Sequence, residues 1–367
     1  MDQPADHGLS LWREYDYVLI AFLLMVMVLG ATAVFSASGA TRSEFYRQVI
    51  YMVFGLVVLA YFSLIDYRSL GRVYGLTYLA TLLMLLTVRV IGHTALGAQR
   101  AISLGIIDLQ PSELSKLLVI IVLARFLSDR RAAIKSWATF AVGVALVIPP
   151  AVLILAQPDL GTALVYFGIF YGMAFMAGVP KRYLVGSVLV VAVMMPILIS
   201  HLHGYQKQRL VIFFNPGADP QGAGYNILQA KIAVGSGGML GKGFLTGTQG
   251  QLGFVPIRAT DFIFAIFSEE WGFVGALVLL TLETVVLLRL LRTAHLARDS
   301  FGTLLAFGIA TMLFFQVAVN VGMNLGVMPV VGIPLPFISY GGSSMVTNLA
   351  AIGIVQSVLV HHKDVRF

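Results

Sequence analysis

Long apolar runs separated by short polar clusters fill the chain from residue 15 to residue 360. They lie near 15–37, 46–65, 73–92, 112–128, 137–156, 160–179, 183–202, 264–290, 303–327 and 342–360. A helix of about 20 mainly apolar residues can cross a bilayer, so each run predicts a spanning helix. The expected fold is an all-α polytopic membrane protein of about ten transmembrane helices, forming one integral membrane domain over 1–367. The joints at QPD, 157–159, and VPK, 179–181, are tight. One long stretch, 203–263, does not read as a span. It predicts a large extracellular loop between spans seven and eight, folded over the outer mouth of the bundle. Within it, NPGADPQGAG is turn chemistry, and YNILQAKIAV has the spacing of a short helix lying on the membrane surface.

Composition agrees with the pattern. The chain is 58% hydrophobic and only 11% charged, whereas a soluble domain carries about 25% charged residues. Soluble classes are therefore excluded. There is no cysteine, so disulfides, thiol chemistry and Cys-ligated metals are excluded too. The formal charge of +7 fits basic loops against anionic lipid, and no motif supports nucleic-acid binding. Arg68, Arg72, Arg125, Arg130, Arg131, Lys135, Lys181, Arg182, Arg289, Arg292 and Arg298 fall on one side of the predicted bundle. The short loops opposite hold only Arg42, Arg47, Arg89 and Arg100. Positive residues favour the cytoplasm, which predicts cytoplasmic termini and an outward-facing large loop. The first run ends in small residues, FSASGA, but it exceeds the 7–15 residues of a signal-peptide core. It reads as an uncleaved first span.

Charges inside apolar runs are functional candidates, and four clusters stand out. In AQRAISLGIIDLQPSELSK, 98–116, Pro111 can open a helix that places Glu113 and Lys116 on one face. They read either as a self-neutralising pair or as a lysine held against the helix dipole for an anionic ligand, with Arg100 beside it. In QPDLGT, Asp159 reads as a helix cap that can also accept a bond from Lys116. In RATDFIFAIFSEEWGF, 258–273, Asp261 sits at the mouth of span eight, as a cap or as a reactive carboxylate. Glu269 and Glu270, deeper, read as interior hydrogen-bonding groups that fix packing. In VMPVVGIPLPFISYGGSS, 327–344, prolines and glycines break the backbone at membrane depth, which requires burial in protein or a cavity. Its YGGSS, with Ser343, suits phosphate oxygens or makes a plain turn. All four clusters fall at outer ends of spans. An outward-opening cavity with an acid and cations suits a transfer reaction on a lipid-linked phosphate. It suits lipid flipping and ion-coupled transport equally.

These stretches resemble the SEDS family of bacterial cell-wall proteins over nearly the whole chain. The likeness runs through QPSELSK at 110–116, QPDLGT at 157–162, NPGADPQGAGYN at 215–226, GTQGQLGFVP at 247–256, TDFIFAIFSEEWGF at 260–273 and PLPFISYGGSS at 334–344. GTQGQL and NVGMNLGVMPVVGIPLPF are closer to the elongation type (RodA-like) than to the division type (FtsW). The resemblance implies a peptidoglycan glycosyltransferase that polymerises lipid II outside the bacterial cytoplasmic membrane. It implies partnership with a class B penicillin-binding protein transpeptidase and other elongation-complex membrane proteins. A lipid II flippase and a non-catalytic scaffold are the alternatives. Asp261 matches the family's catalytic aspartate, and Lys116 and Asp159 match positions important for activity. Arg100 and Arg209 are candidates for the leaving pyrophosphate, and a divalent cation, Mg2+ or Mn2+, could share that charge. Two residues depart from the family pattern: Ala101, where Trp is usual, and Ile257, where Glu is usual.

Overall fold

The computed structural model describes residues 14–39, 42–91, 93–95, 98–103, 108–201, 204–215, 217, 219, 222–255 and 257–362. The side chains of 89–109 and of several residues between 197 and 223 lie outside that description. The N-terminal half holds α1 (Tyr17–Ala37), α2 (Ser43–Leu64), α3 (Tyr67–Arg72), α4 (Tyr74–Ile91), α5 (Pro111–Asp129), α6 (Trp137–Leu155), α7 (Leu160–Ala177) and α8 (Lys181–His201). Beyond it come α9 (Gly204–Phe214), α10 (Ala223–Ser236), α11 (Thr248–Gln251), α12 (Ile263–Leu296), α13 (Ser300–Asn324) and α14 (Gly342–Val360). A helix lies at each of the ten predicted positions. Among the described residues, seven are long and apolar enough to cross a membrane: α1, α2, α6, α7, α12, α13 and α14. The chain is a polytopic membrane protein.

The structure adds to the expected pattern in several places. Strands β1 (His93–Ala95), β2 (Ala98–Ser103) and β3 (Asp108–Leu109) form a small antiparallel sheet between α4 and α5. Its strands are too short to show a two-residue alternation. The helix at YNILQAKIAV, α10, packs on protein: Ala230 and Ala233 join Val255, Phe262, Ala265 and Ile266 in a small second core. Helices α9 and α11 flank it within the same stretch.

The bundle is built around two enclosed helices. Nearly every residue of α14 is buried, and α5 is buried along most of its length, its polar residues included. Without a hydrophobic drive between helices in lipid, close approach depends on small residues. At Gly353 of α14 a Cβ would stand 2.5 Å from the Leu59 carbonyl of α2. No larger residue fits that crossing.

The two ends of the bundle differ. At one, Asp16 caps α1 and takes two bonds from Arg289, at 2.7 and 2.8 Å. The backbone N–H and C=O of Asp16 are both satisfied by Gln356. Nearby, Tyr67 donates to Asp299 at 3.0 Å. Burial and the Asp299 charge push the Tyr67 hydroxyl up to about 12, so it stays a donor throughout the physiological range. The other end gathers the N-termini of α5, α7, α12 and α14, where the polar clusters lie.

Helix α12 is broken at Gly272 (φ 67, ψ −167). Breaking a helix frees backbone groups that hydrocarbon cannot satisfy. Segment 238–243 satisfies them: Lys242 and Gly243 donate to the carbonyls of Glu269 and Glu270, both at 3.0 Å, and Phe273 and Val274 donate to Gly238 and Met239 at 2.9 and 3.1 Å. The glutamate side chains complete the joint. Glu269 accepts from Lys242 Nζ at 2.7 Å, from the amides of Gln249 and Gly250 at 3.0 and 3.2 Å, and from Thr248 at 3.2 Å. Glu270 accepts from Ser36 of α1. The two deep acids therefore fasten the large loop to the bundle.

A Cβ on residue 272 would lie 2.3 Å from the Gly241 nitrogen. Its φ/ψ region is almost exclusive to glycine, and holding any other residue there costs about 1–3 kcal/mol before any clash. Gly272→Ala is expected to lower the unfolding temperature of the detergent-purified protein clearly. A variant melting with the parent would show that the loop is not seated on this break.

Candidate functional site

Segment 331–343 brings the four polar clusters together. Val331 presses against the start of α7: a Cβ on Gly161 would stand 2.6 Å from its carbonyl oxygen. Gly332, with φ +73, lies under the Asp261 carboxylate, a Cβ there falling 3.4 Å from Oδ2. Ile333 is held through its carbonyl by Asn320 Nδ2 at 2.8 Å. Ser339 donates to the Thr260 carbonyl at 2.7 Å, and the Tyr340 amide donates to Ala259 at 2.8 Å. Ser343 Oγ accepts the Gln110 N–H at 2.7 Å, just ahead of α5. Gln48 of α2 closes the frame, donating to the Ser339 carbonyl at 3.1 Å. The irregular backbone of this segment thus has partners, as it would need within hydrocarbon.

Asp261 is half-buried in the turn that precedes α12. The cap position of α12 falls on Phe262, which makes no side-chain capping bond. Its backbone is fixed by two buried amides of α13: Asn320 and Asn324 donate to its carbonyl at 3.1 and 3.0 Å. Asn324 also accepts the Ala265 amide at 3.1 Å. Neither asparagine was among the expected site residues. The signal was present, because polar residues four apart inside an apolar span are one turn apart on one face and expensive there.

Asp159 is the cap of α7. It accepts the Thr162 amide at 3.0 Å and the Thr162 hydroxyl at 2.9 Å. Lys116 is 1% exposed and pairs with Glu113 at 2.8 Å. The expected bond from Lys116 to Asp159 is not made: the i, i+3 spacing on α5 puts Glu113 closer. The pair is incomplete, because Glu113 Oε2 is buried with no hydrogen-bond partner among the described residues. Tyr166, two turns along α7 from Asp159, donates to Ser115 at 2.5 Å and ties the two helices together beside these charges. Arg100 lies in β2 and Arg209 in α9, but their side chains fall outside the described residues. No three acids or histidines among the described residues gather as a metal cage.

A buried half-satisfied ion pair is costly to break and cheap to remove whole. Lys116→Met is expected to destabilise the protein by about 3–5 kcal/mol. Adding Glu113→Leu should recover most of the loss in thermal unfolding. Additive losses in the double variant would show that the two charges are not coupled.

A multi-spanning protein with a polar, oxygen-rich site at one end of the bundle is the class these features define. Residues 15–364 match the family described as "FTSW_RODA_SPOVE: Cell cycle protein", and the chain belongs to that family. It is 40% identical over 351 residues to the peptidoglycan glycosyltransferase MrdB of Escherichia coli (strain K12), covering 95% of this chain and 94% of that one. It is 32% identical to the peptidoglycan glycosyltransferase RodA of Treponema pallidum, over 94% of this chain and 97% of the other. Among solved structures it resembles a chain of a peptidoglycan synthase complex that coordinates polymerization and crosslinking (TM-score 0.83, 34% identity, 94% and 97% coverage). It also resembles Thermus thermophilus RodA (TM-score 0.73, 31% identity, 95% and 98% coverage).

Proposed function

We propose that the chain is a peptidoglycan glycosyltransferase that joins lipid II units into glycan strands during cell elongation, with Asp261 as general base. Family membership and the named relatives support the activity. The observation that carries the site reading is the carboxylate of Asp261 lying over Gly332, within the segment that also meets the Asp159 and Lys116 helices. The acceptor sugar hydroxyl attacks the anomeric carbon of the donor. The new glycosidic C–O bond forms as the bond to the diphosphate oxygen breaks. Asp261 takes the hydroxyl proton, and the polyprenyl diphosphate leaves with the electron pair. A carboxylate in this role contributes about 10²–10⁴-fold.

The charge that develops on the leaving diphosphate calls for cations and N–H donors aimed at it beforehand. Lys116 and the N-terminal amides of α14 around Ser343 are the candidates on the described chain, with Arg100 and Arg209 completing the set. A bound substrate hydroxyl would satisfy the orphaned Glu113 Oε2, and Asp159 would hold the start of α7 in register. A divalent cation, Mg2+ or Mn2+, would travel with the diphosphate, since such ions keep waters and use few protein ligands. No step above depends on it. The asymmetry of basic loops supports an outward-facing site with cytoplasmic termini in the bacterial inner membrane. The likeness to a synthase complex that couples polymerization to crosslinking supports a crosslinking partner, a class B penicillin-binding protein. The flippase alternative relies on three deep acids: Glu269 and Glu270 are engaged in holding the loop, and Glu283 is buried with Oε1 lacking a hydrogen-bond partner among the described residues.

In detergent, where transport has no meaning, Asp261→Asn is expected to retain lipid II binding and lose glycan polymerisation by about 10²-fold or more. Polymerisation at the parent rate by that variant would refute the assignment.

A further inference from the structure

Thr260, the residue before Asp261, lines a cavity where the large loop meets the end of α1 and the start of α2. It is about 540 Å³ and is lined by Ser38, Glu44, Ile257, Arg258, Thr260 and Tyr340, among others. That volume lies in the range of small-ligand pockets, which combine apolar walls with a few placed polar groups.

The walls are held from several elements. Arg258 donates through Nη1 to the Gly250 carbonyl, and its other terminal nitrogen lies beside Gly39, where a Cβ would stand 3.0 Å away. The guanidinium is thereby pinned between the end of α1 and the large loop. Glu44 projects from the first turn of α2. Among the described residues no ion pair joins Glu44 to Arg258. Tyr340 is fixed through its amide to Ala259 and by its ring against Tyr51, centroids 6.3 Å apart. Ile257, Val255 and Ala37 supply apolar surface.

Opposite charges facing one space without touching leave room for a neutral ligand that both donates and accepts. A sugar has that chemistry: hydroxyls for the carboxylate and the guanidinium, and a C–H face for a phenol ring and aliphatic walls. A diphosphate does not, since Glu44 would repel it. A polyprenyl chain does not, since it would strand both charges. We infer that this pocket is the carbohydrate subsite, holding a saccharide of the lipid-linked substrate with a hydroxyl toward Asp261. This rests on the proposed glycosyltransferase reading.

The experiment separates the sugar from the lipid. Lipid II and undecaprenyl diphosphate, which lacks the sugar, are titrated onto the full-length protein in detergent. Glu44→Gln and Tyr340→Leu are each expected to weaken lipid II binding about tenfold, the loss of one good charged bond or of a packed ring. Undecaprenyl diphosphate should bind as it does to the parent. Tyr340→Phe, which keeps the ring, should keep lipid II affinity. Unchanged lipid II binding in both disruptive variants overturns the subsite, and so does an equal loss for both ligands. A parent protein that binds lipid II and never polymerises it would instead overturn the glycosyltransferase reading, a result independent of these affinities.

Discussion

Hydrocarbon offers no partner to a backbone N–H or C=O, and this constraint governs the structure. Helices meet it by themselves. Irregular backbone needs partners from elsewhere, and this chain has two such places beside its apolar helices. The break at Gly272 is satisfied by the glycine-rich segment 238–243. The stretch 331–343 is satisfied by Gln48, Asn320 and Ser339. Each repair draws on an element distant in sequence, so the same bonds that satisfy the backbone also assemble the site.

That arrangement explains the acids in SEEWGF. Glu269 is fully buried, yet it has a lysine and two backbone amides as partners. A buried carboxylate so satisfied loses the penalty that makes lone charges rare in membranes. Its work is mechanical: it fastens segment 242–250 to the bundle. Asp261, a few residues earlier, stands at the edge of the same joint. Its carbonyl is locked by two asparagines while its carboxylate faces Gly332. Fixing the backbone in this way also fixes where the carboxylate stands.

Much of the fold was legible in the residue pattern. Apolar runs near 20 residues have one solution in a bilayer, and a helix stands at each. The β1–β3 sheet was not legible, because strands of two to six residues carry too little alternation to register. The contact of one face of α10 with protein was also hidden: an apolar face does not say which apolar surface it meets. Among the site residues, the cap role of Asp159 followed from local spacing. The Glu113–Lys116 pair was one of the readings that local spacing offered, whereas the lack of a bond from Lys116 to Asp159 depended on how α5 and α7 pack.

The sequence alone determined the membrane setting, the helical class and the residues rich enough in chemistry to matter, because hydropathy and charge are local properties. Tertiary structure decided which polar groups meet. Only the folded chain brings Asn324 to Asp261 across 63 positions, or Gln48 to Ser339 across 291. Pairings at such separation depend on how whole helices pack, and no short window of residues contains that information.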